Sequence, residues 1–512
     1  MKQLETKKEA KAYTRIDRFD GGMQDDFRNG ALGGSAVIKG FDIHSFPHKA
    51  VPIRGVTADT TGQTAVGNLL VGTDGVFYGL GTTGGNGTIY KKATYSGVWT
   101  ELGAGTSRSG ATVEYSFFQE YKDYLYYWKS GVLVKCDRAG VASVDNTTLA
   151  ISWTNVRTNG VVHPKDDILY IPYDNKIASL NVTSLTVAAL TLPSNLIITS
   201  ITPYGNYLAI AASPLNGAPI GSIVYLWDRD TSLTTLSESI NWGTGILKVL
   251  NTLDGYLVGI SDVGGASSSI LDKDSVQIKV YSGGTPQLIK EISTIRQVAS
   301  SVPDAVINTR VNFIWGGKMY FSLSITGGST SPSLNGLWAI GKNQQGIYAV
   351  WVERLATDAN TETGVLAAAI IGDYTSMVHT AVGTLTISNS NTTFATIYTA
   401  TSVIESLIFN DGDSDLTKKL IGVSIMFEPL PSGATVVLDY RLDENIKVND
   451  TNYIQIFTHT STGSVSHGSI NIESSGATLP QFKEIQFRIK STGGAIITGL
   501  KFKSEFIDKQ LY

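Results

Sequence analysis

Apolar and polar positions alternate in short runs along most of the chain, and the runs open in the same way each time. At Leu250–Ser261 a polar turn, Asp254-Gly255, leads into a strand pattern in which Tyr256, Val258 and Ile260 share one side. The same turn-then-strand recurs at Thr73–Tyr78, Lys122–Tyr127, Asp166–Ile171, Gly205–Ile210 and Gly316–Phe321, and most weakly at Gly372–Met377. Period-two alternation bounded by Gly, Asp and Asn is the signature of antiparallel strands. Subtracting the second turn residue of each copy from the next gives 48, 44, 39, 49, 62 and 56. A unit of that length, present seven times, has the period of a β-propeller blade with loop insertions.

Several copies end in a second aromatic strand, as at Ile89-Tyr90, Leu226-Trp227, Val280-Tyr281 and Leu337-Trp338. Ahead of the first copy, Ala36–Phe46 and Val51–Val56 also read as strands. A strand from before the first blade commonly completes the last one and so removes an open edge. The Gly/Ser-rich stretch Gly264–Ser269 reads as an exposed loop. After about residue 399 the runs lengthen. Ile421, Val423, Ile425 and Phe427 share one face, as do Val436, Leu438, Tyr440 and Leu442, with Asp439, Arg441 and Asp443 expected outward. Ile485, Phe487 and Ile489 alternate with Glu484, Gln486, Arg488 and Lys490. Half-buried strands of this kind suit a β-sandwich. The expected layout is therefore mainly β: an N-terminal arm and lead-in strand over 1–45, a propeller of about seven blades over 46–398, and a sandwich over 399–512.

Composition changes this picture little. With 42% hydrophobic and 16% charged residues the chain can bury a large core, and 53 glycines suit many tight turns. A net charge of −4 gives no global pull toward nucleic acid or anionic membrane. The single cysteine, Cys136, excludes an internal disulfide framework and reads as a small buried hydrophobe. The opening residues carry charge without an apolar stretch, and the longest strongly apolar run, Val365–Ile371, is far short of a membrane span. Synthesis in a cytoplasm without a membrane span is the expectation. Residues 1–18 hold six Lys/Arg against three Asp/Glu and read as a solvated arm or short helix. The turn-rich stretch that follows holds Phe19, Met23, Phe27 and Arg28, candidates for contacts with a neighbouring subunit.

Motifs with chemical content dissolve on inspection. Gly336–Asn343 matches G-x-x-x-x-G-K, but its middle is apolar and Asn343 stands where a metal-binding hydroxyl belongs. Asp411, Asp413 and Asp415 have the spacing of the first three calcium-loop ligands. Leu416 and Gly422 occupy the positions that need Gly and Glu, so the triad is only a weak metal candidate. The six histidines include no HExxH or other close ligand pair, and Pro47 argues against a helix joining His44 to His48. Acidic pairs such as Asp166-Asp167 are explained by turn propensity. No cofactor is implied, no catalytic residue is assigned, and the chain is not expected to be an enzyme. A glycan-binding receptor-recognition propeller is the alternative, and a propeller glycoside hydrolase, with a carboxylate pair built across blades, comes after it.

Two parts of the chain, one near its start and one near its end, carry a resemblance. Arg18–Asp26, R-F-D-G-G-M-Q-D-D, resembles the N-terminal opening of virion structural proteins of tailed bacteriophages. Ile421–Pro431 and Phe482–Gly494 resemble the C-terminal β-sandwich of the same class, some of whose members, tail nozzle and tail hub proteins, carry a propeller in the middle. The resemblance implies a non-enzymatic virion component, assembled in a host cytoplasm, that forms a homo-oligomeric ring in the tail or neck. Its partners would be copies of itself and other tail or neck proteins, with DNA passing through without sequence specificity. The chain is shorter than typical nozzle proteins.

Overall fold

The computed structural model describes residues 11–24, 28, 33–46, 48–53, 56–58, 66–83, 86–93, 97–102, 113–129, 132–138, 143–150, 157–182, 184–215, 221–232, 236–263, 275–293, 304–326, 335–355, 365–371, 374–381, 384–390, 401–410, 415–443, 446, 452–460, 467–471 and 480–507. It is all β: among the described residues every regular element is a strand and none is an α-helix. The chain divides into two compact units. A ring unit takes in Val56–Ile340 and Leu355–Thr392, and a terminal unit takes in Met1–Gly55, Gly341–Arg354 and Thr393–Tyr512. The chain therefore passes from one unit to the other four times, where the expected layout divided it only at 45/46 and 398/399.

In the ring unit, four-stranded antiparallel meanders follow one another. Their first strands are Val66–Val71, Val113–Tyr121, Val161–His163, Leu196–Tyr204 and Ile246–Leu253, for the first to fifth sheets. Asp304–Trp315, Lys318–Thr326 and Gly336–Lys342 pair in the same order as a sixth group, and Val365–Ile371, Tyr374–Ala381 and Thr384–Ser390 form most of the seventh sheet. The expected turn-opened strands are the second strands of these sheets, from Phe77–Thr83 to Tyr374–Ala381. Aromatic endings such as Trp227 and Tyr281 close third strands. The seventh sheet is completed from far upstream: Val56–Ala58 pairs antiparallel with Ser388–Ser390. A closing strand was expected from this part of the chain, and it begins at Val56, the last residue of the second run read there.

Why the meanders stack is visible in their cores. Each apolar cluster spans two consecutive sheets, so a sheet buries its faces only by standing between neighbours. Tyr78, Leu80 and Ile89 of the first sheet meet Phe118, Leu125 and Cys136 of the second. Trp128 and Phe117 of the second meet Leu169 and Ile171 of the third. Trp227 of the fourth sheet rests edge-on against Tyr170 of the third, ring centroids 5.7 Å apart. Trp242 joins the fourth sheet to Leu247 and Leu257 of the fifth. At Gly259, beneath Trp242, an added Cβ would come within 2.4 Å of the indole, so only glycine lets that ring lie flat. Finally, Val66, Phe77 and Trp99 of the first sheet share a cluster with Ala367, Ala369 and Val378 of the seventh, and the set closes on itself.

First strands carry a bulge at a matching level in six sheets, at 66/68, 114/118, 198/200, 247/249, 308/312 and 365/367. The bulge re-aims the residues that follow it toward neighbouring first strands. Asn251 donates to Asn312 at 2.9 Å, and Asn312 to the Leu250 carbonyl at 3.1 Å. Where the sixth group has three extra residues, Arg310 reaches the Gly67 carbonyl of the first sheet at 2.8 Å, and Thr309 reaches the carbonyl of Arg157.

The terminal unit holds two facing sheets. One orders Lys11–Ile16, Ile497–Phe506, Lys418–Phe427 and His467–Asn471; the other orders Gly34–Lys39, Ser402–Ser406, Ile485–Thr492, Thr435–Leu442 and Ile454–His459. Phe502 of the first packs on Phe487 of the second at 4.9 Å and on Phe409 at 5.2 Å. Lys11–Ile16 is thus an edge strand paired with Leu500–Glu505, where a solvated arm or short helix was expected. Main-chain pairing needs no apolar periodicity, which is why the charged sequence concealed it. Tyr348–Leu355 joins this unit through the parallel pairing of Val352 with Lys39.

Candidate functional site

The turns between first and second strands gather the charged residues of the ring unit, and those residues form a clasp at each of the first three seams. Between the first and second sheets, Glu120 accepts from the Thr73 amide at 2.8 Å and its hydroxyl at 3.0 Å. Arg138, just beyond a third strand, bridges Glu120 at 2.7 Å to the Thr73 hydroxyl at 2.8 Å and also engages Asp123. Between the second and third, the Tyr121 hydroxyl donates to the Asp167 carbonyl at 2.7 Å and Lys122 pairs with the Asp167 carboxylate.

The third seam is the most fully connected. Arg229 donates to Asp166 at 2.6 Å and also to the Asn206 carbonyl, and it lies 3.0 Å from His163 Nε2. Burial alone would push the Asp166 carboxyl up. Hydrogen bonds from Arg229, the Tyr170 hydroxyl and the Ile168 amide outweigh burial and hold it below its ordinary value. His163 is wholly buried. Its Nδ1 accepts from the Lys165 amide at 3.2 Å and its Nε2 faces the Tyr207 carbonyl at 3.1 Å. Burial, and then the charge of Arg229, lower its pKa, so near neutral pH the ring is uncharged.

One local signature builds two of these turns. Asp74 and Asp166 each cap the amide two residues on, at 3.1 and 3.3 Å, and each accept from the tyrosine hydroxyl four residues on, Tyr78 at 2.8 Å and Tyr170 at 2.9 Å. The Asp-x-x-x-Tyr spacing stands openly in the sequence and could have been read there. The reach of Arg138 to Thr73 and of Arg229 to Asp166 could not, because each crosses into the preceding repeat.

A cleft of about 560 Å³ opens on this face among the first three sheets. Leu70, Val71, Val162 and Tyr121 supply apolar wall, while Glu120, Lys122, Asp123 and Asp167 supply the rim. The Tyr121 ring is only 3% exposed, and Lys135 covers Tyr124 at 3.6 Å. Every rim carboxylate is engaged by a cation from this chain. What the arrangement does chemically is hold adjacent sheets together.

The terminal unit has its own charged cluster. Asp439 accepts from Arg488 at 2.7 and 2.9 Å and lies 2.9 Å from Lys490. Arg441 donates to Gln486 at 2.8 Å and faces Glu405 at 3.8 Å. The Tyr453 ring lies against both guanidinium groups, 4.6 Å from Arg441 and 3.8 Å from Arg488. Asp439 and Arg441, expected outward, are 2% and 4% exposed. Alternation identified them as one face, but that face is covered. Burial pushes the Glu405 carboxyl up against the pull of Arg441 and Arg488, and pushes the Lys39 ammonium down to about 8.

The candidates from sequence fall out as follows. Phe19 and Met23 are buried within this chain, so in the isolated chain they are not available to a neighbour. Arg28 is exposed and makes a two-point contact with Glu484 at 2.7 and 2.8 Å. Phe27, Asp411, Asp413 and the Gly264–Ser269 loop lie outside the described residues, and Asp415 is exposed. Among the described residues no group of three or more His, Cys, Asp or Glu could hold a metal ion, and no helix is long and apolar enough to cross a membrane. His44 stacks on Trp351 at 6.3 Å, and Gly336–Lys342 is a buried strand. Cys136 is buried, its thiol 3.4 Å from the Asp137 carbonyl.

No protein-family model matches the chain, and no curated protein matches it. Among solved structures it is similar to YCF48 bound to D1 peptide, at 8% identity over 70% of this chain and 100% of that one, with a TM-score of 0.41. It is also similar to the Pan2 WD40 domain of Neurospora crassa, at 10% identity over 67% and 96%, TM-score 0.38. Virginiamycin B lyase from Staphylococcus aureus follows at 8% identity over 66% and 98%, TM-score 0.39. The chain is an all-β protein with a propeller-like ring of sheets, as its own strand pairings describe.

Proposed function

We propose that this chain is a structural component of a tailed-phage virion: a seven-bladed β-propeller joined to a β-sandwich, working without catalysis as a homo-oligomeric ring in the tail or neck. In this reading Val56–Ala58 closes the seventh blade. The ring gives passage to DNA or a platform for other tail proteins, and it assembles in the host cytoplasm without a cofactor. One observation carries the proposal. The two parts that resemble phage virion proteins stand some 400 residues apart in sequence, yet both belong to the terminal unit. Gly22–Met23 pairs with Gly34–Ser35, that strand with Ser402–Ser406, and that one with Ile485–Thr492, so the opening segment is built into the sheet that carries the second resemblance. Engagement of the rim carboxylates in seam clasps also favours a scaffold over a hydrolase, which needs a carboxyl free to exchange a proton.

The test is the mass of the purified chain in solution by light scattering, with negative-stain images of the same sample. Closed rings of one copy number are expected. A monomer at high concentration that also fails to join rings of its neighbouring tail proteins would overturn the reading.

A further inference from the structure

The cleft among the first three sheets already holds an ammonium group. Lys122 pairs with Asp167 across its mouth, its Nζ 5.8 Å from the centre of the Tyr121 ring. The lysine is held there by a turn in which both Lys122 (φ 50°) and Asp123 (φ 67°) adopt the left-handed conformation that Asn-Gly would take at less cost. Asp167, on the facing turn, is left-handed as well (φ 54°). Apolar walls at Leu70, Val71 and Val162 with carboxylates above them suit an amphipathic cation, whose methylenes lie along the walls while its head meets the acids.

We propose that the cleft binds a lysine side chain from the N-terminal segment of a second copy of the chain, which displaces Lys122. Once Lys122 swings out, Glu120, Asp123 and Asp167 face Arg138 alone, three carboxylates to one cation. The segment ahead of the Lys11–Ile16 edge strand supplies Lys2, Lys7 and Lys8. Ten residues reach at most about 33 Å. This inference rests on the homo-oligomeric reading above, and it makes Lys122 a plug that keeps the cleft filled until assembly.

The test is fluorescence anisotropy of a labelled peptide of residues 1–10 with the full chain, at low and high salt. Lys122→Ala should tighten binding at least fivefold, and the pair Asp123→Asn with Asp167→Asn should weaken it at least tenfold. A peptide with Lys2, Lys7 and Lys8 changed to alanine should not bind. Thermal melting confirms that each variant is folded. Equal affinity across the variants, or a neutral oligosaccharide that binds the cleft where the peptide does not, would overturn the proposal. Native mass spectrometry separates the two readings. Rings that persist while the peptide fails to bind overturn the cleft alone. The expected peptide pattern on a chain that never forms rings supports the cleft and overturns the ring.

Discussion

At the seams of the ring unit, carboxylates and cations stand partly in water, whereas in the terminal unit, on the sheet that holds Thr435–Leu442, the carboxylate of a similar set is shut away from it. Asp167 has a side chain 59% exposed and Asp123 79%, against 2% for Asp439. The chemistry of the pairs is alike, yet the consequences of breaking them differ. Exposed pairs are screened and contribute about 0–1 kcal/mol each. A buried pair adds little over an apolar replacement, but removing one partner strands the other charge at roughly 3–5 kcal/mol. The seams also link consecutive repeats, so their loss is local. The buried cluster ties strands from residues 34–39, 402–406, 435–442 and 485–492, and its loss reaches across the whole sequence.

The largest expected effect comes from cutting the chain at the sequence-based boundary. A chain of residues 1–398 loses every strand that flanks Gly34–Lys39 on the Ser402–Ser406 side and the partner of Lys11–Ile16. Hydrogen exchange should find amides 11–16 and 34–39 unprotected in it, and retained protection would show that the terminal unit does not need its C-terminal part. Next, Asp439→Ala should lower stability by about 1.5–3 kcal/mol in urea unfolding, since the half-buried Arg488 and Lys490 lose their buried acceptor. A loss below about 1 kcal/mol would mean that water reaches the cluster.

Lys39 sharpens the comparison through pH. Its ammonium is depressed from 10.5 to about 8 in the folded chain, chiefly by burial. Between these values the unfolded chain holds a proton that the folded chain does not, so stability should rise with pH through that window. Lys39→Met should remove the rise and stabilise the protein at pH 7 by up to roughly 3 kcal/mol. A melting temperature independent of pH from 8 to 10 in the parent chain would refute the burial of this charge. The smallest effect belongs to the third seam. His163 is lowered from 6.5, so the folded chain resists a proton that the unfolded chain accepts. Its contribution is complete above about pH 6.5 and declines as pH falls below that value. His163→Gln should flatten the slope of melting temperature between pH 5 and 6.5, and an unchanged slope would assign the acid sensitivity to other groups.

Much of the ring unit was legible because its information is local. Each Asp-Gly, Lys-Asp or Gly-Gly turn fixes a hairpin and its register within a dozen residues, and the alternation that follows tells which side is buried. Tyr78 and Tyr170 even announce their Asp partners four residues upstream. The terminal unit was legible strand by strand and illegible as a whole. Nothing local marks Lys11–Ile16 as the partner of Leu500–Glu505, since main-chain hydrogen bonding leaves no trace in side-chain pattern. For the same reason the polar face of Thr435–Leu442 was visible as a face, while its burial beneath Tyr453 was not.

By itself, then, the sequence determined the all-β character, the repeated hairpin and the positions of its turns, because turn chemistry and period-two alternation act within a few residues. Only the tertiary structure decided that Val56–Ala58 closes the seventh sheet, that the chain crosses between its units four times, and that Arg138 and Arg229 reach back to the preceding repeat while Lys122 reaches forward to the next. These depend on which surfaces are left to bury once the hairpins have formed. That is settled by packing between segments hundreds of residues apart and not by any one of them.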